Sequence, residues 1–405
     1  MSALRPPRIC PRCSSTICKR HGKRSRKVRT YGGKRRIKVQ RWKCLKCRKT
    51  WSDPIPGVAP YARYCRAIQR QCLDLYVYGN ASYRKVASLV RSEVNGDERA
   101  RDWDPEGMHW QKVPSERQVR LSHVTAWRWL QSAGKKARAL QGQFGEVPQS
   151  GGWATDVTGA WLKGGSEAVL GICDAVTRVV FSIRKIGAES EDEVLRAFAR
   201  LRGLGVNTKR ILALVSDGAE AYRLLVEGVM KRTAHQRSVF HLWRNVLPHI
   251  KAYKELNGDE AEKQLKDTLH AIWDANTMGE AGAALEILVS VYGAEPILAP
   301  VLRVVQGTFN EAMVHLKGVV EGLPRSNNVC ELLWAAYKHR LKVMGRLMSE
   351  SGLDNFNAVW EMETNFRRYQ NRKERRRRYR YPGKCPLEIA GLPVEGICWM
   401  DAVGI

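Results

Sequence analysis

The run Trp153-Ala154-Thr155-Asp156-Val157-Thr158-Gly159-Ala160-Trp161-Leu162 restricts this chain more than any other. Its small and apolar residues are those of a strand, yet Asp156 sits where a buried strand rarely accepts a charge. Ile211-Leu212-Ala213-Leu214-Val215-Ser216-Asp217-Gly218 repeats the pattern: a buried-type strand, then an acid, then a glycine. Further on, Glu331 follows Arg325-Ser326-Asn327-Asn328 and opens a helical run. Two aspartates at strands and a glutamate on a helix can hold two divalent metals beside a phosphodiester. Carboxylate oxygens suit Mg²⁺ or Mn²⁺ better than thiols or imidazoles do. Asp156 is assigned as the ligand shared by both ions, with Asp217 on one ion and Glu331 on the other. Taken singly, each acid has a plainer reading, as a turn cap, a strand-surface residue or a helix-face acid. Asp174, Asp192 and Glu220 compete for the same roles, Asp174 most closely because it ends the next strand.

The charge balance names a partner. Lys plus Arg total 69 against 40 Asp plus Glu, a formal net charge of +29, far beyond what solubility requires. Residues 1–50 hold 19 Lys or Arg and no acid. A second basic cluster, Arg372 to Arg380, includes Arg375 and Arg376 as candidate phosphate contacts. Double-stranded DNA is the expected polyanion, and the rest of the chain reads as apparatus that delivers it to the acids. No apolar run is long enough to span a bilayer, so no membrane role is expected. Eleven cysteines, several alone in helical stretches, fit a reducing compartment better than a disulfide framework. The expected location is cytoplasmic, on the nucleoid.

Cys10-Pro11-Arg12-Cys13 is answered by Cys44-Leu45-Lys46-Cys47. Two such knuckles supply four thiolates in a tetrahedron, the preference of a structural Zn²⁺. A segment this small and charged lacks an apolar core, so metal binding would supply much of its folding energy. Gly32-Gly33 forms its turn and Arg36–Trp42 a strand, while Trp42 and Trp51 cover a minimal core. Cys18 and His21 add an alternative Cys-x-x-His spacing within a ribbon over residues 1–52.

Ser52–Pro60, with three prolines and a glycine, reads as a linker to a helical unit over residues 60–140. A helix from Tyr61 to about Tyr78 and a short one after Gly79 precede a polar stretch over residues 93–117. A second helix start, Leu121–Leu130, follows, with Ser122 as N-cap. A short helix, a connection and a Ser-led helix carrying Trp and Arg suggest a helix-turn-helix. His123, Thr125, Ala126 and Arg128 face the major groove in this reading, and Val124, Trp127 and Leu130 pack inward.

After a linker at Gly145–Gly152, strands are expected at 153–163, Ala168–Asp174 and Arg178–Arg184. A helix over Ser190–Leu204, the strand ending at Asp217, a helix from Ala219 to about Met230 and a last strand near Ser238–Leu242 follow. This β-β-β-α-β-α-β order, with acids on the first and fourth strands, resembles the ribonuclease-H-like fold of DDE transposases and retroviral-type integrases. Asp217-Gly218-Ala219-Glu220-Ala221-Tyr222, His235–Asn245, Arg325–Glu331 and Tyr381–Glu388 resemble motifs of prokaryotic insertion-sequence transposases, as does a zinc ribbon followed by a helix-turn-helix. The long interval from Asp217 to Glu331 resembles the Mutator-like branch, whose members place an all-helical insertion there. Residues 246–320 have the matching helical periodicity. That branch commonly carries Cys-x-x-His after the second acid; here Ser238-Val239-Phe240-His241 puts serine where cysteine would stand.

The resemblance implies an α/β protein with a ribonuclease-H-like core in three parts: residues 150–245, the insertion at 246–320, and the glutamate helix at 321–350. A basic helix and tail at 351–405 would follow. It implies a transposase that binds terminal inverted repeats, hydrolyses a phosphodiester and joins the 3′-hydroxyl to target DNA. Bringing two ends together implies a homodimer or larger closed assembly. His241 is placed to donate to a phosphate oxygen and Arg244 to grip phosphate. Asn327 and Asn328 would cap the Glu331 helix and touch DNA. Lys338 and Arg340, with Tyr337 and Lys342, would give that helix a basic edge. A catalytically silent, domesticated DNA-binding protein is the alternative. A zinc-ribbon transcription or architectural factor would leave the three acidic motifs unexplained.

Overall fold

The computed structural model describes residues 9–79, 81–96, 115–140, 147–204, 206–344, 347–369 and 383–405. They separate into two compact units, Met1–Leu130 with Ile405, and Gln131–Gly404.

In the first unit, β1 (Cys18–Thr30), β2 (Gly33–Cys44) and β3 (Thr50–Ser52) form an antiparallel sheet in that order. Gly32 and Gly33 take positive φ (81° and 102°), which a tight turn between β1 and β2 requires and side-chain-bearing residues resist. Trp42 and Trp51 are cross-strand partners. The stretch read as a linker is folded in: Ile55 and Val58 are buried with Val28 and Val39, and Ala62 and Cys65 pack on them. The reason is composition, since a ribbon this charged must draw apolar residues from its flank to close any core. Helices α1 (Arg66–Val77) and α2 (Tyr83–Asn95) follow. Ser82 caps α2 by accepting from the Lys85 amide, and Gly96 ends it at φ 64°. Asn95 pairs both ways with the Val119 backbone, at 3.1 and 2.7 Å. α3 (His123–Leu140) then begins, with the Ser122 hydroxyl accepting from the Thr125 amide at 3.2 Å, as its N-cap assignment requires.

The second unit is mixed α/β. β4 (Gly152–Leu162), β5 (Gly165–Asp174) and β6 (Val180–Ile186) form an antiparallel meander. Past α4 (Glu191–Gly203), β7 (Ala213–Ser216) joins β4 in parallel. α5 (Glu220–Leu224) and a π turn lead to β8 (Ala234–Arg237), parallel to β7. The sheet order is β6-β5-β4-β7-β8. The last strand therefore lies earlier than Ser238–Leu242. Ser238 takes an extended conformation at the N-cap, and residues from Val239 onward are helical, so His241 stands on the first turn of a helix.

α6 (Val239–Trp273), α7 (Met278–Tyr292) and α8 (Ala299–Ala312) share one apolar core, with Leu265, Leu269, Ile272, Trp273, Leu288 and Val301 at its centre. Gly258 breaks α6 with φ 85° and ψ 179°. No strand occurs among the described residues 246–320. α9 (Asn328–Met344) carries Glu331, and α10 (Glu350–Phe366) covers the edge strand β6. An exposed edge would offer unpaired amides to another chain; here Asn365 bonds both the N–H and C=O of Val180 (2.7 and 2.8 Å), and Glu361 accepts from the Ile183 amide (3.1 Å). Two short helices, α11 (Pro386–Ile389) and α12 (Trp399–Ala402), complete the unit, with Trp399 buried.

Candidate active site and metal centres

The acids are brought together by strand register. β4 and β7 run parallel, with Ala154 opposite Val215, so continuing the register places Asp156 beside Asp217. Gly218, at φ 86°, then turns the chain away from the strand; a Cβ there would lie 2.3 Å from the Arg237 Nε. Glu331 arrives on α9, whose first turn presses on β5: the Cys330 and Cys173 sulfurs are 3.4 Å apart. This approach is close because Gly171, the β5 partner of Asp156, has no side chain. A Cβ at that position would lie 2.5 Å from the Trp334 ring.

Asp156 is buried, and its carboxyl is raised to about 7, first by desolvation and then by Glu331 and Asp217. The negative charges of Glu331 and Asp217 thus reach Asp156. Among the described residues, however, only the four cysteines bring three or more ligand atoms within 4.8 Å of one another. Glu331 is engaged by His241, with Nε2 and Oε1 3.3 Å apart, while the buried His241 Nδ1 has no partner among the described residues.

Ser238 and Asn327 tie the two helix starts together. The Ser238 hydroxyl donates to Asn327 Oδ1 at 2.9 Å and accepts the Asn327 amide at 3.3 Å. The Val239 amide donates to the Arg325 carbonyl at 3.0 Å. Glu331 lies four positions after Asn327 and His241 three positions after Ser238, so both pairs meet one turn into their helices. Serine at the first position of Ser-x-x-His is thus used as a hydrogen-bonding strut.

Several sequence assignments move. Arg340 is 1% exposed and Asn327 is fully buried, so neither can contact DNA as expected; both side chains point into the protein rather than along its edge. Tyr337 is likewise buried, its hydroxyl donating to Asn357 Oδ1 at 2.6 Å. Lys338 and Arg244 are exposed. Asp174, the closest competing acid, is engaged elsewhere: its carboxylate accepts from the Ser150 amide and hydroxyl and from the Val176 and Thr177 amides, all within 2.9 Å. Asp192 is exposed in the first turn of α4, and Glu220 pairs with Arg223 at 3.0 Å. Sequence reading missed Glu189, between β6 and α4, whose carboxyl is raised by desolvation and then by Asp217. It stands in the acidic lead-in to α4, and no spacing marks it apart from ordinary helix-start acids. Tyr222 was quoted only as part of a motif; it is fully buried, and desolvation, then Glu189 and Asp217, push its phenol well above 10.

In the first unit, Cys10, Cys13, Cys44 and Cys47 gather their sulfurs, with Cys10–Cys47 at 3.5 Å and Cys13–Cys44 at 3.7 Å. Zn–S bonds of about 2.3 Å in a tetrahedron require sulfur–sulfur edges of about 3.8 Å, so the residues fit that ion. Cys18 instead donates to the Ser15 carbonyl at 3.4 Å, and His21 is exposed on β1. On α3, His123 and Arg128 are exposed and Thr125 is half-buried. Leu130 faces the core as expected and so does Ala126, expected in the groove but 4% exposed, whereas Val124 (40% exposed) and Trp127 (46%) do not pack inward as expected. They share the outward face with His123 and Arg128, because positions 123, 124, 127 and 128 lie on one side of a helix. Arg375 and Arg376 lie outside the described residues.

Residues 166–359 match the family model described as Transposase, Mutator family. Residues 10–86 match a domain of unknown function (DUF6431) that runs through the ribbon, α1 and the start of α2. No curated protein matches the chain.

Proposed function

We propose that this chain, whose residues 166–359 match the family model described as Transposase, Mutator family, is a Mutator-like transposase, a metal-dependent DDE enzyme that cuts transposon ends and joins them to target DNA. The observation that carries this reading is the charge of Asp217 and Glu331 felt at Asp156: strand register sets Asp156 beside Asp217, and burial, then Glu331 and Asp217, raise Asp156 to about 7. The sheet order β6-β5-β4-β7-β8, with α9 against β5, supports a ribonuclease-H-like core split by the α6–α8 insertion.

The donor set fits Mg²⁺ or Mn²⁺: it is all carboxylate oxygen, and the like charge that raises Asp156 is the kind a divalent cation relieves. Asp156, Asp217 and Glu331 would hold two such ions, which when bound would activate water or a 3′-hydroxyl and stabilise the leaving oxygen. The chain's own part is positioning. Gly171 lets α9 approach, the Ser238–Asn327 strut sets its first turn, and His241 orients Glu331 and can donate to a phosphate oxygen. Arg244 and Lys338 are exposed cations available to the phosphate backbone. In the first unit, Zn²⁺ on the four cysteines would hold the ribbon, and α2 and α3 would act as a helix-turn-helix reading terminal repeats through His123, Thr125 and Arg128. Pairing of two ends calls for a homodimer or larger assembly. No helix among the described residues is long and apolar enough to cross a membrane.

The test is strand cleavage and joining on labelled DNA bearing the element's ends, with Mg²⁺ or Mn²⁺ set against no divalent ion. Intact protein should yield 3′-hydroxyl ends and joined products, while Asp156→Ala, Asp217→Ala and Glu331→Ala should bind DNA and form none. Specific binding without products under any divalent ion would instead identify a silent DNA-binding protein.

A further inference from the structure

The first unit contains a cleft of about 720 Å³ between β1, the start of α1, α2 and the beginning of α3. Arg29, Arg84, Arg91 and Arg120 line it, and no acid is among its lining residues. None of the four forms an ion pair with another described residue, so their charges face the cleft uncompensated by any of these. Arg84, Ser88 and Arg91 follow i, i+4, i+7 spacing along one face of α2. Seven residues of helix rise about 10 Å, roughly three base-pair steps of a duplex.

The fourth cation comes from the ribbon and is fixed in place. The Arg29 guanidinium lies over the Tyr64 ring, 4.6 Å from its centroid. The Arg29 amide donates to the Arg63 carbonyl at 2.8 Å, and its carbonyl accepts from the Cys65 amide at 2.9 Å. Tyr64 in turn donates its hydroxyl to the Arg120 carbonyl at 2.7 Å and meets Trp129 edge-on at 5.1 Å. Ribbon and helices therefore build the cleft jointly, on a packed aromatic support. Cations held in this way bind phosphate with less loss of side-chain entropy than freely moving ones.

We propose that this cleft seats the sugar–phosphate backbone of duplex DNA, and that the ribbon and the α2–α3 pair bind DNA as one clamp. The proposal rests on the reading of this unit as the DNA-binding part. Its chemistry favours a backbone because four guanidinium groups and no acid line it, and guanidinium groups together with the Ser88, Ser122 and Thr125 hydroxyls recognise phosphate oxygens. A backbone seated here would fix the position of α3, whose exposed Val124, Trp127 and Arg128, outside the cleft lining, remain for base edges and thymine methyl groups, while His123 and Thr125 line the cleft itself.

The experiment is a fluorescence-anisotropy titration of the full-length protein on two duplexes, one with the element's ends and one scrambled, at several salt concentrations. Each lost phosphate contact should lower the slope of log K against log salt by about 0.9. Arg84→Ala/Arg91→Ala should therefore lose about 1.8 from the slope on both duplexes and keep the ratio of affinities between them. Arg29→Ala should lose about 0.9, and Arg84→Lys/Arg91→Lys should keep most of the slope. An unchanged slope overturns the proposal, as does an equal loss in Lys251→Ala/Lys263→Ala, which removes two exposed charges from the insertion. A loss confined to the end-bearing duplex also overturns it, since that would mean base reading. Wild-type protein that binds neither duplex overturns the DNA-binding reading as well.

Discussion

Asp156 is the residue whose environment departs furthest from what an isolated strand would give it. An unfolded aspartate titrates near 3.9, whereas here the group is raised to about 7. Between those values the folded protein holds a proton that the unfolded chain has released, so stability declines as pH rises through the window and levels off above it. With no divalent ion added, the melting temperature of wild type should fall more between about pH 5 and pH 7.5 than that of Asp156→Asn. Added Mg²⁺ should restore more at the higher pH, because a metal ligand must be deprotonated. Identical pH responses in the two proteins would remove Asp156 as the titrating group. Ser238 supplies a second residue-scale expectation. Ser238→Ala leaves Asn327 Oδ1 buried without its donor and should cost about 1–3 kcal/mol in urea unfolding. It should also slow strand cleavage through Glu331; unfolding and cleavage that match wild type would make the strut idle.

The element that decides the site's geometry is α9, and its seat depends on an absent side chain. Gly171→Ala would push a methyl group into the Trp334 ring, where overpacking costs about 1–3 kcal/mol and the relief available is a shift of α9. Cleavage should fall much more than DNA binding. Trp334→Phe added to Gly171→Ala should recover part of the lost stability, since the two residues share one contact. Additive losses in a thermal-melt cycle would show that the close approach is not what positions Glu331. The same element explains the reassignment of Arg340. Basic residues on a helix read as an edge only if that face is outside, and α9 turns this one inward.

Across the whole molecule, the two units should respond differently to metal removal. The ribbon's own core is four residues, Val28, Val39, Ile55 and Val58, too few to replace a metal as the source of its folding energy. A zinc-selective chelator, or Cys13→Ser, should therefore abolish DNA binding by the first unit. Far-ultraviolet dichroism of the second unit, rich in helix, should keep its thermal transition. Loss of both transitions together on chelation would count against this division of labour. Residues 10–86 match a single domain model across ribbon, α1 and the start of α2, in keeping with Ile55 and Val58 packing into the ribbon instead of lying in a loose linker.

What could be read from the sequence alone was whatever local chemistry encodes. The paired Cys-x-x-Cys knuckles, the acid inside one strand-like run and the acid just after another, the Ser122 cap and the helical periodicity of residues 246–320 are each carried by neighbouring residues or by short spacings. Register, burial and which helix face turns inward depend instead on partners distant in sequence, and the tertiary structure decided them. Ala154 opposite Val215 is what sets Asp156 beside Asp217. Tertiary packing buried Arg340 and, against Ser238 at the start of α6, Asn327, and it left Trp127 outside. Ser238 stands at the N-cap position of α6 instead of in a strand, and its hydroxyl meets Asn327, 89 positions further along the chain, an interval that no periodicity spans.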